Sequence, residues 1–473
     1  APQLPKGEFL GHPTALWQLF NIELWERFAY YGMRAVLAVY VATTFFGHMG
    51  DQANAEASLV YGGYTALVYA TGIAGGYVAD RILGYQRSIL LGAIVMAGGL
   101  FVLLIEDLNW FLIGLALIVA GNGLFKPNIS TMVGKLYAEG DVRRDSGFTI
   151  FYMGINLGAF IAPFVTAAWI GTQFGLKWGF FAAGIGMILS TLCLEWAKKS
   201  LGHVGLPPEG KEGWGSFFAV FVGTLVLAAI CYFLLSASTV LGFILVGIMV
   251  ALCIYFVVSG IRLGTVQLQR YLAMLLLFLA NACFWALFEQ AGSSLNFFAR
   301  EFSTPMFGGQ ESWQAGGFGI FQSLNPLYIL IFAPVFAAMW PRLEKLGLNP
   351  SIPRKFALGL IQVALGFYVL VWAISNAQNP AGLVPWVFLA LCYLLHTTGE
   401  LCLSPIGLSR VTKLADESET GLAMGGWFLS IAMAQYVAGI IAAIASGGGG
   451  HGAEAVSGIT QYQDTYMQLF WLG

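Results

Sequence analysis

Glu23-Leu24-Trp25-Glu26-Arg27-Phe28-Ala29-Tyr30-Tyr31-Gly32, with Arg34 just beyond, decides how the rest of the chain is read. It lies inside an apolar segment running from about residue 15 to residue 46, long enough to cross a bilayer. On a helix, at about 100° per residue, Glu23, Glu26, Arg27, Tyr30, Tyr31 and Arg34 share one face roughly 140° wide, while Trp25, Phe28, Gly32 and Met33 point away. Each charge placed inside a membrane helix costs roughly 2.5–3.5 kcal/mol on insertion scales. Such groups persist only where they face a protein or water interior and have partners. A buried ion pair that merely ties helices together would meet that condition, but intramembrane charge by default marks a pathway or relay, and the stretch is read as functional.

Working outward, the 473 residues are 58% hydrophobic and only 10% charged, which fits neither a soluble globular chain nor a disordered one. With a net charge of -2, no nucleic-acid footprint is visible. Cys193, Cys231, Cys253, Cys283, Cys392 and Cys402 all lie in apolar segments without metal-ligand spacing, so neither a disulfide framework nor a metal site is expected. The first apolar run carries charges and lacks a small-residue cleavage site, so no cleavable signal peptide is expected.

Apolar runs of spanning length fall near 15–46, 58–79, 88–105, 109–134, 146–171, 178–197, 214–235, 239–261, 269–298, 317–340, 352–374, 384–407 and 421–446. A fourteenth begins near Thr465 and is read as a truncated last helix. With the N-terminus inside and the helices alternating, only Lys177 and Arg300 of the 22 Lys and Arg fall in outer segments, while Arg27, Arg34 and Lys126 lie within helices. That bias is the positive-inside pattern, and one missed helix would reverse it beyond that point. The expectation is an all-α membrane protein with two related six-helix bundles, 1–200 and 266–473, joined by 201–265 with two extra helices. Repeats packed around a midplane site are how many secondary carriers are built. The extra pair carries no charge in its spans, so it is read as a lipid-facing bridge without chemistry.

The remaining intramembrane polar groups sit in short motifs: Gly121-Asn122-Gly123-Leu124-Phe125-Lys126-Pro127-Asn128, Phe151-Tyr152-Met153-Gly154-Ile155-Asn156, Trp285 through Glu289-Gln290, Asn325-Pro326, Glu400 through Ser404-Pro405, and Trp427. The carboxylates Glu23, Glu26, Glu289 and Glu400 face the cations Arg27, Arg34 and Lys126. Near-balance implies pairing with one carboxylate left over, which outlines a proton site. Tyr69, Tyr152, Trp285 and Trp427 read by default as packing aromatics, and Asn156 and Asn325 read equally well as interhelical hydrogen bonds. Asp80 and Arg81, at a membrane edge, read as a conformational latch. The five histidines form no cluster.

Glu23–Gly32 resembles the E-x-x-E-R-F-x-Y-Y-G signature of proton-coupled oligopeptide transporters, a branch of the major facilitator superfamily. Phe151-Tyr152-x-x-Ile155-Asn156-x-Gly158 is similar to that family's F-Y-x-x-I-N-x-G-S motif, with Ala159 in place of the last Ser. Gly75–Gly84 resembles the superfamily loop motif, and the two extra helices resemble those of bacterial members. The resemblance implies a major facilitator fold with 14 spans and a multi-pass, monomeric protein of the bacterial inner membrane, its N-terminus cytoplasmic. It implies no cofactor, protons serving as the coupling ion, and di- and tripeptides as substrates. It also implies roles. Glu23, Glu26, Arg27 and Lys126 would couple protons. Arg34 and Lys126 would bind the peptide carboxylate, and Glu400 with Asn156 and Asn325 the amine and backbone. Tyr31, Tyr69, Tyr152, Trp285, Ser404 and Trp427 would line the side-chain pocket. Arg34 with Glu289, and Lys126 with Glu400, would be gate salt bridges. Mammalian members carry a His at the position of Gly62, so here carboxylates must carry the proton.

Charge placement points the same way. A zwitterionic peptide needs cations at one end and a carboxylate at the other, and Arg34 and Lys126 lie in the first half, Glu400 in the second. Two competing readings are a proton-coupled nitrate-like anion carrier, for which Glu400 has no use, and a non-transporting peptide receptor. No nucleophile–base pair or metal cluster supports an enzyme.

Overall fold

The computed structural model describes residues 7–138, 140–447 and 458–473. A short antiparallel pair, β1 (Glu8–Phe9) and β2 (His12–Pro13), precedes fourteen helices of 15 residues or more among the described residues. These are α1 (Thr14–Thr44), α2 (Ala53–Val78), α3 (Tyr85–Val102), α4 (Leu108–Lys135), α5 (Arg144–Pro163) and α6 (Lys177–Leu201). Then follow α7 (Trp214–Ser236), α8 (Ser238–Leu263), α9 (Thr265–Phe288), α10 (Leu324–Lys345), α11 (Ile352–Asn376), α12 (Trp386–Leu414), α13 (Thr420–Ala445) and α14 (Gly458–Leu472). Among the described residues, eleven helical segments are long and apolar enough to cross a membrane. Helices α1 and α2, at 31 and 26 residues, also have the length at about 1.5 Å per residue.

The chain forms two compact units. The first holds residues up to Val36 and from Ala70 to Ser236, the second Leu37–Tyr69 and everything from Ala237. Helices α1 and α2 therefore each contribute to both, and the two extra helices divide, α7 to the first unit and α8 to the second.

Within each unit the most extensive packing joins the third and fourth helices of its half, α3 with α4 and α11 with α12. Lipid tails are as apolar as leucine, so helix association rests on close van der Waals contact, which small residues permit. Gly92 meets Gly121 and Gly99 meets Gly114, one heptad apart on each helix. A methyl group added at Gly92 would lie 2.6 Å from the Gly121 carbonyl oxygen, and one at Gly99 2.7 Å from that of Gly114. Gly359 and Gly399 repeat the device in the second unit, at 3.0 and 2.8 Å. The same close glycine contact thus recurs between the third and fourth helices of each half.

Two expectations are corrected, and a third gains detail. The span expected at 269–298 is present as one segment, Thr265–Glu301, with a local break in its helix. Helix α9 ends at Phe288, a tight turn covers Glu289–Gly292, and a short helix resumes at Ser294–Glu301. Gln290 stabilises the break, its side-chain amide donating from Nε2 to the carbonyls of Ala286 and Ala438 at 3.1 Å each, while Ser294 donates to its Oε1 at 2.7 Å. The last helix starts at Gly458, not near Thr465; its first turns are polar, so hydropathy misses them, although Tyr462 and Tyr466 are buried. The extra helices are largely exposed, as a lipid-facing role requires. Helix α8 nevertheless carries polar chemistry: Tyr255 and Ser259 donate to Glu419 at 2.8 and 2.7 Å, and Tyr271 of α9 donates to the same carboxylate.

On the loop side of the first unit, Arg143 pairs with Glu8 at 2.8 Å and Asp141 at 2.9 Å, holding the hairpin. His12 Nδ1 lies 2.8 Å from the Tyr137 hydroxyl. The Arg143 hydrogen bonds hold the Asp141 carboxyl below the usual carboxylate range. Asp80 accepts from Tyr85, and the backbone carbonyl of Arg81 accepts from Lys211 at 2.8 Å.

Candidate functional site

The signature on α1 folds into a buried charge cluster in the first unit. Glu23 and Arg27 are one turn apart and face the same way. Arg27 grips Glu26 twice, Nε to Oε2 at 2.5 Å and Nη2 to Oε1 at 2.7 Å. Its Nε lies 3.4 Å from Glu23 Oε1. The exposures of Glu23, Glu26 and Arg27 are 2%, 0% and 2%, so water does not compete for these contacts. The guanidinium also sits over the rings of Tyr30 and Tyr31, 4.9 and 5.9 Å from their centroids, and that of Arg34 lies 5.7 Å from Tyr31. Such cation–π contacts strengthen when desolvated.

The two carboxylates are held differently. Both oxygens of Glu26 are engaged by Arg27, and Asn122 Nδ2 approaches Oε1 at 3.5 Å. Glu23 Oε2 is buried and has no hydrogen-bond partner among the described residues. Lys126 is half-buried on α4. Helix α4 runs unbroken past Pro127, and Asn128 just beyond ties it to α2 by donating to the Gly75 carbonyl at 3.1 Å.

The motif on α5 is partly a packing device. Gly154 lies against Phe20, where an added methyl would sit 2.8 Å from the ring, and a side chain at Gly158 would collide with the Leu24 carbonyl. Asn156 is buried and donates to the Tyr152 carbonyl of its own helix at 3.0 Å, not across helices, while the Tyr152 side chain is exposed.

In the second unit, Asn325 and Glu400 come together. Asn325 Nδ2 donates to Glu400 Oε2 at 2.9 Å and to Thr397 Oγ1 at 3.0 Å. Pro326 stands in the first turn of α10, where its missing N–H removes no helical bond. Glu289 is buried at the α9 break. Trp285 packs on Phe288 with centroids 5.1 Å apart, and buried Trp427 on Phe278 at 6.4 Å. Tyr69 is half-buried and groups with this unit. The side chain of Ser404 lies outside the described residues. His396 turns its ring to the Val363 carbonyl at 3.1 Å and to Phe367, which is core packing.

Sequence reasoning assigned no role to Asn122 or Thr397. Thr397 precedes Glu400 by three residues, a spacing that shares a helix face and could have flagged it. Among the described residues, no group of three or more His, Cys, Asp or Glu could hold a metal ion.

Residues 86–454 match the POT family, PTR2. The uncharacterized transporter YclF of Bacillus subtilis is 39% identical over 452 residues, which cover 92% of this chain and 88% of YclF. Dipeptide and tripeptide permease A of Edwardsiella piscicida is 33% identical over 465 residues, covering 97% of this chain and 91% of the permease. Among solved structures, peptide transporter POT in complex with sulfate matches with a TM-score of 0.80 at 36% identity, over 99% of this chain and 94% of that one.

Proposed function

We propose that this chain, which belongs to the POT family and has its all-helical, multi-pass membrane fold, is a proton-driven importer of di- and tripeptides working by alternating access. The observation that carries this reading is the division of charge. The cations Arg34 and Lys126 stand in the first unit, and Glu400 with its Asn325 partner stands in the second. A peptide presents a carboxylate for the former and an ammonium for the latter. A nitrate-like anion carrier would have no use for Glu400.

Glu23 is assigned the proton. Its Oε2 has room for a hydrogen-bond commitment that Glu26, clamped by Arg27, has not. A peptide carboxylate at Lys126 competes with Glu23 for one cation, and a proton on Glu23 relieves the competition. Glu23, Glu26, Arg27 and Lys126 form the coupling group in this reading. Asn156 serves the peptide backbone, and Tyr31, Tyr69, Tyr152, Trp285, Ser404 and Trp427 the peptide side chains. Arg34 with Glu289, and Lys126 with Glu400, act as gate pairs. In this reading the N-terminus is cytoplasmic in a bacterial inner membrane, which the Lys and Arg bias supports, and the monomer is the functional unit.

The test is uptake of a labelled dipeptide into proteoliposomes under an imposed inward proton gradient, with nitrate run in parallel. Gradient-driven dipeptide accumulation is expected. Nitrate uptake without dipeptide uptake selects the anion carrier, and binding without uptake of either selects the receptor.

A further inference from the structure

We propose that Thr397 is a positioning residue that fixes the Asn325 side-chain amide as a hydrogen-bond acceptor for the peptide amine; this rests on the reading of Glu400 as the amine site. The argument follows the hydrogens. The Thr397 hydroxyl has one, and it goes to the Tyr393 carbonyl one turn back, at 2.7 Å. Its Oγ1 can then only accept, and it accepts from Asn325 Nδ2 at 3.0 Å. The second hydrogen of that NH2 group goes to Glu400 Oε2 at 2.9 Å. Both amide hydrogens are thereby committed, and Asn325 offers its Oδ1 to anything that enters.

A flipped amide would turn Oδ1 toward two oxygens, so the network decides an orientation that an isolated Asn would leave open. Glu400 alone enforces this only while its charge faces Asn325. Once an ammonium draws on Glu400, Thr397 keeps the amide from turning its donors toward a group that has none to accept with. Thr397 is fully buried, at 0% exposure, so no water can replace it. The amine would then be read by two acceptors, Glu400 and Asn325 Oδ1. A free ammonium, with three N–H donors, satisfies both, whereas an N-acetylated end, with one, cannot.

The experiment is competition for uptake between a dipeptide and its N-acetylated form in wild type, Thr397→Val, Thr397→Ser and Glu400→Gln. Thr397→Val keeps the shape and removes the hydroxyl, whereas Thr397→Ser keeps the hydroxyl. The preference for the free amine is expected to fall roughly three- to tenfold in Thr397→Val, the worth of one hydrogen bond, with KM for the free peptide rising more than the maximal rate falls. Thr397→Ser is expected to retain the preference, which a purely packing role for the methyl group would not give. If Thr397→Val does not fold, Thr397→Ala is measured in its place. Wild-type discrimination in the hydroxyl-less variant, with Glu400→Gln discriminating poorly, overturns the positioning role alone. Full discrimination in Glu400→Gln overturns the amine-site reading on which it rests.

Discussion

Replacing Glu23 and Glu26 separately by Gln separates structure from coupling, because the geometry makes the two carboxylates unequal. Glu26 holds Arg27 through bonds of 2.5 and 2.7 Å, with both residues at 2% exposure or less. Removing one partner of a fully buried pair costs about 3–5 kcal/mol. Glu23 can recover part of that by turning its buried, partnerless Oε2 to Arg27, a charge-assisted bond worth about 1.5–3 kcal/mol. Glu26→Gln should therefore destabilise by about 1–3 kcal/mol. Glu23→Gln loses the long 3.4 Å contact to Arg27 and should cost less than about 1.5 kcal/mol. The transport effects run the other way. A gradient of one pH unit holds about 1.4 kcal/mol per proton, enough for about tenfold accumulation at one proton per peptide. Glu23→Gln should bring that ratio to about one while leaving peptide exchange intact. Proteoliposome accumulation and counterflow of a labelled dipeptide, with thermal unfolding in detergent, measure all of this. Normal accumulation in Glu23→Gln refutes the assignment of the proton to Glu23, and normal accumulation in both variants refutes the coupling group. A larger stability loss in Glu23→Gln than in Glu26→Gln refutes the unequal grip.

Further tests address other parts of the fold. Gly62→Ala puts a methyl 2.7 Å from the Gly439 Cα, a backbone atom that cannot swing aside, so a loss of about 1–3 kcal/mol in stability is expected; unchanged unfolding would show that α2 and α13 separate freely there. Glu289→Ala, at the buried break after α9, should shift the population toward outward-open, read as longer spin-label distances between the outer ends of α1 and α9, and an unchanged distribution would count against a gating role. The hairpin should loosen in acid. The folded Asp141 carboxyl is held below its usual range by Arg143, so its contribution is present above that range and lost as pH falls through the depressed value. The Arg143 side chain is 42% exposed and that of Asp141 16%, so high salt should weaken the same contact. Hydrogen exchange of residues 8–13 reports it, and Arg143→Ala should abolish the dependence.

The sequence by itself determined the fold class and the first half of the site. Apolar runs of spanning length and the placement of Lys and Arg are one-dimensional properties, because a bilayer requires each helix to be apolar along its length. The cluster of Glu23, Glu26 and Arg27 was legible for the same reason: its members are neighbours on one helix, so 3.6-residue geometry alone brings them together. The helix break at Glu289–Gly292 was only half legible: the polar Glu289-Gln290-Ala291-Gly292-Ser293-Ser294 stretch interrupts the apolar run, but the break is held by Gln290 reaching α13, about 150 residues away. The polar start of α14 was hidden because its tyrosines are buried by protein and not by lipid. Only tertiary structure decided which carboxylate keeps a partnerless oxygen, since Arg27 could have divided itself between its two neighbours in either way. The same holds for Asn325, whose two readings differ only by what stands opposite. The chain folds Glu400 and Thr397 there, on a helix some 75 residues further on, and a spacing of that length is closed by packing alone.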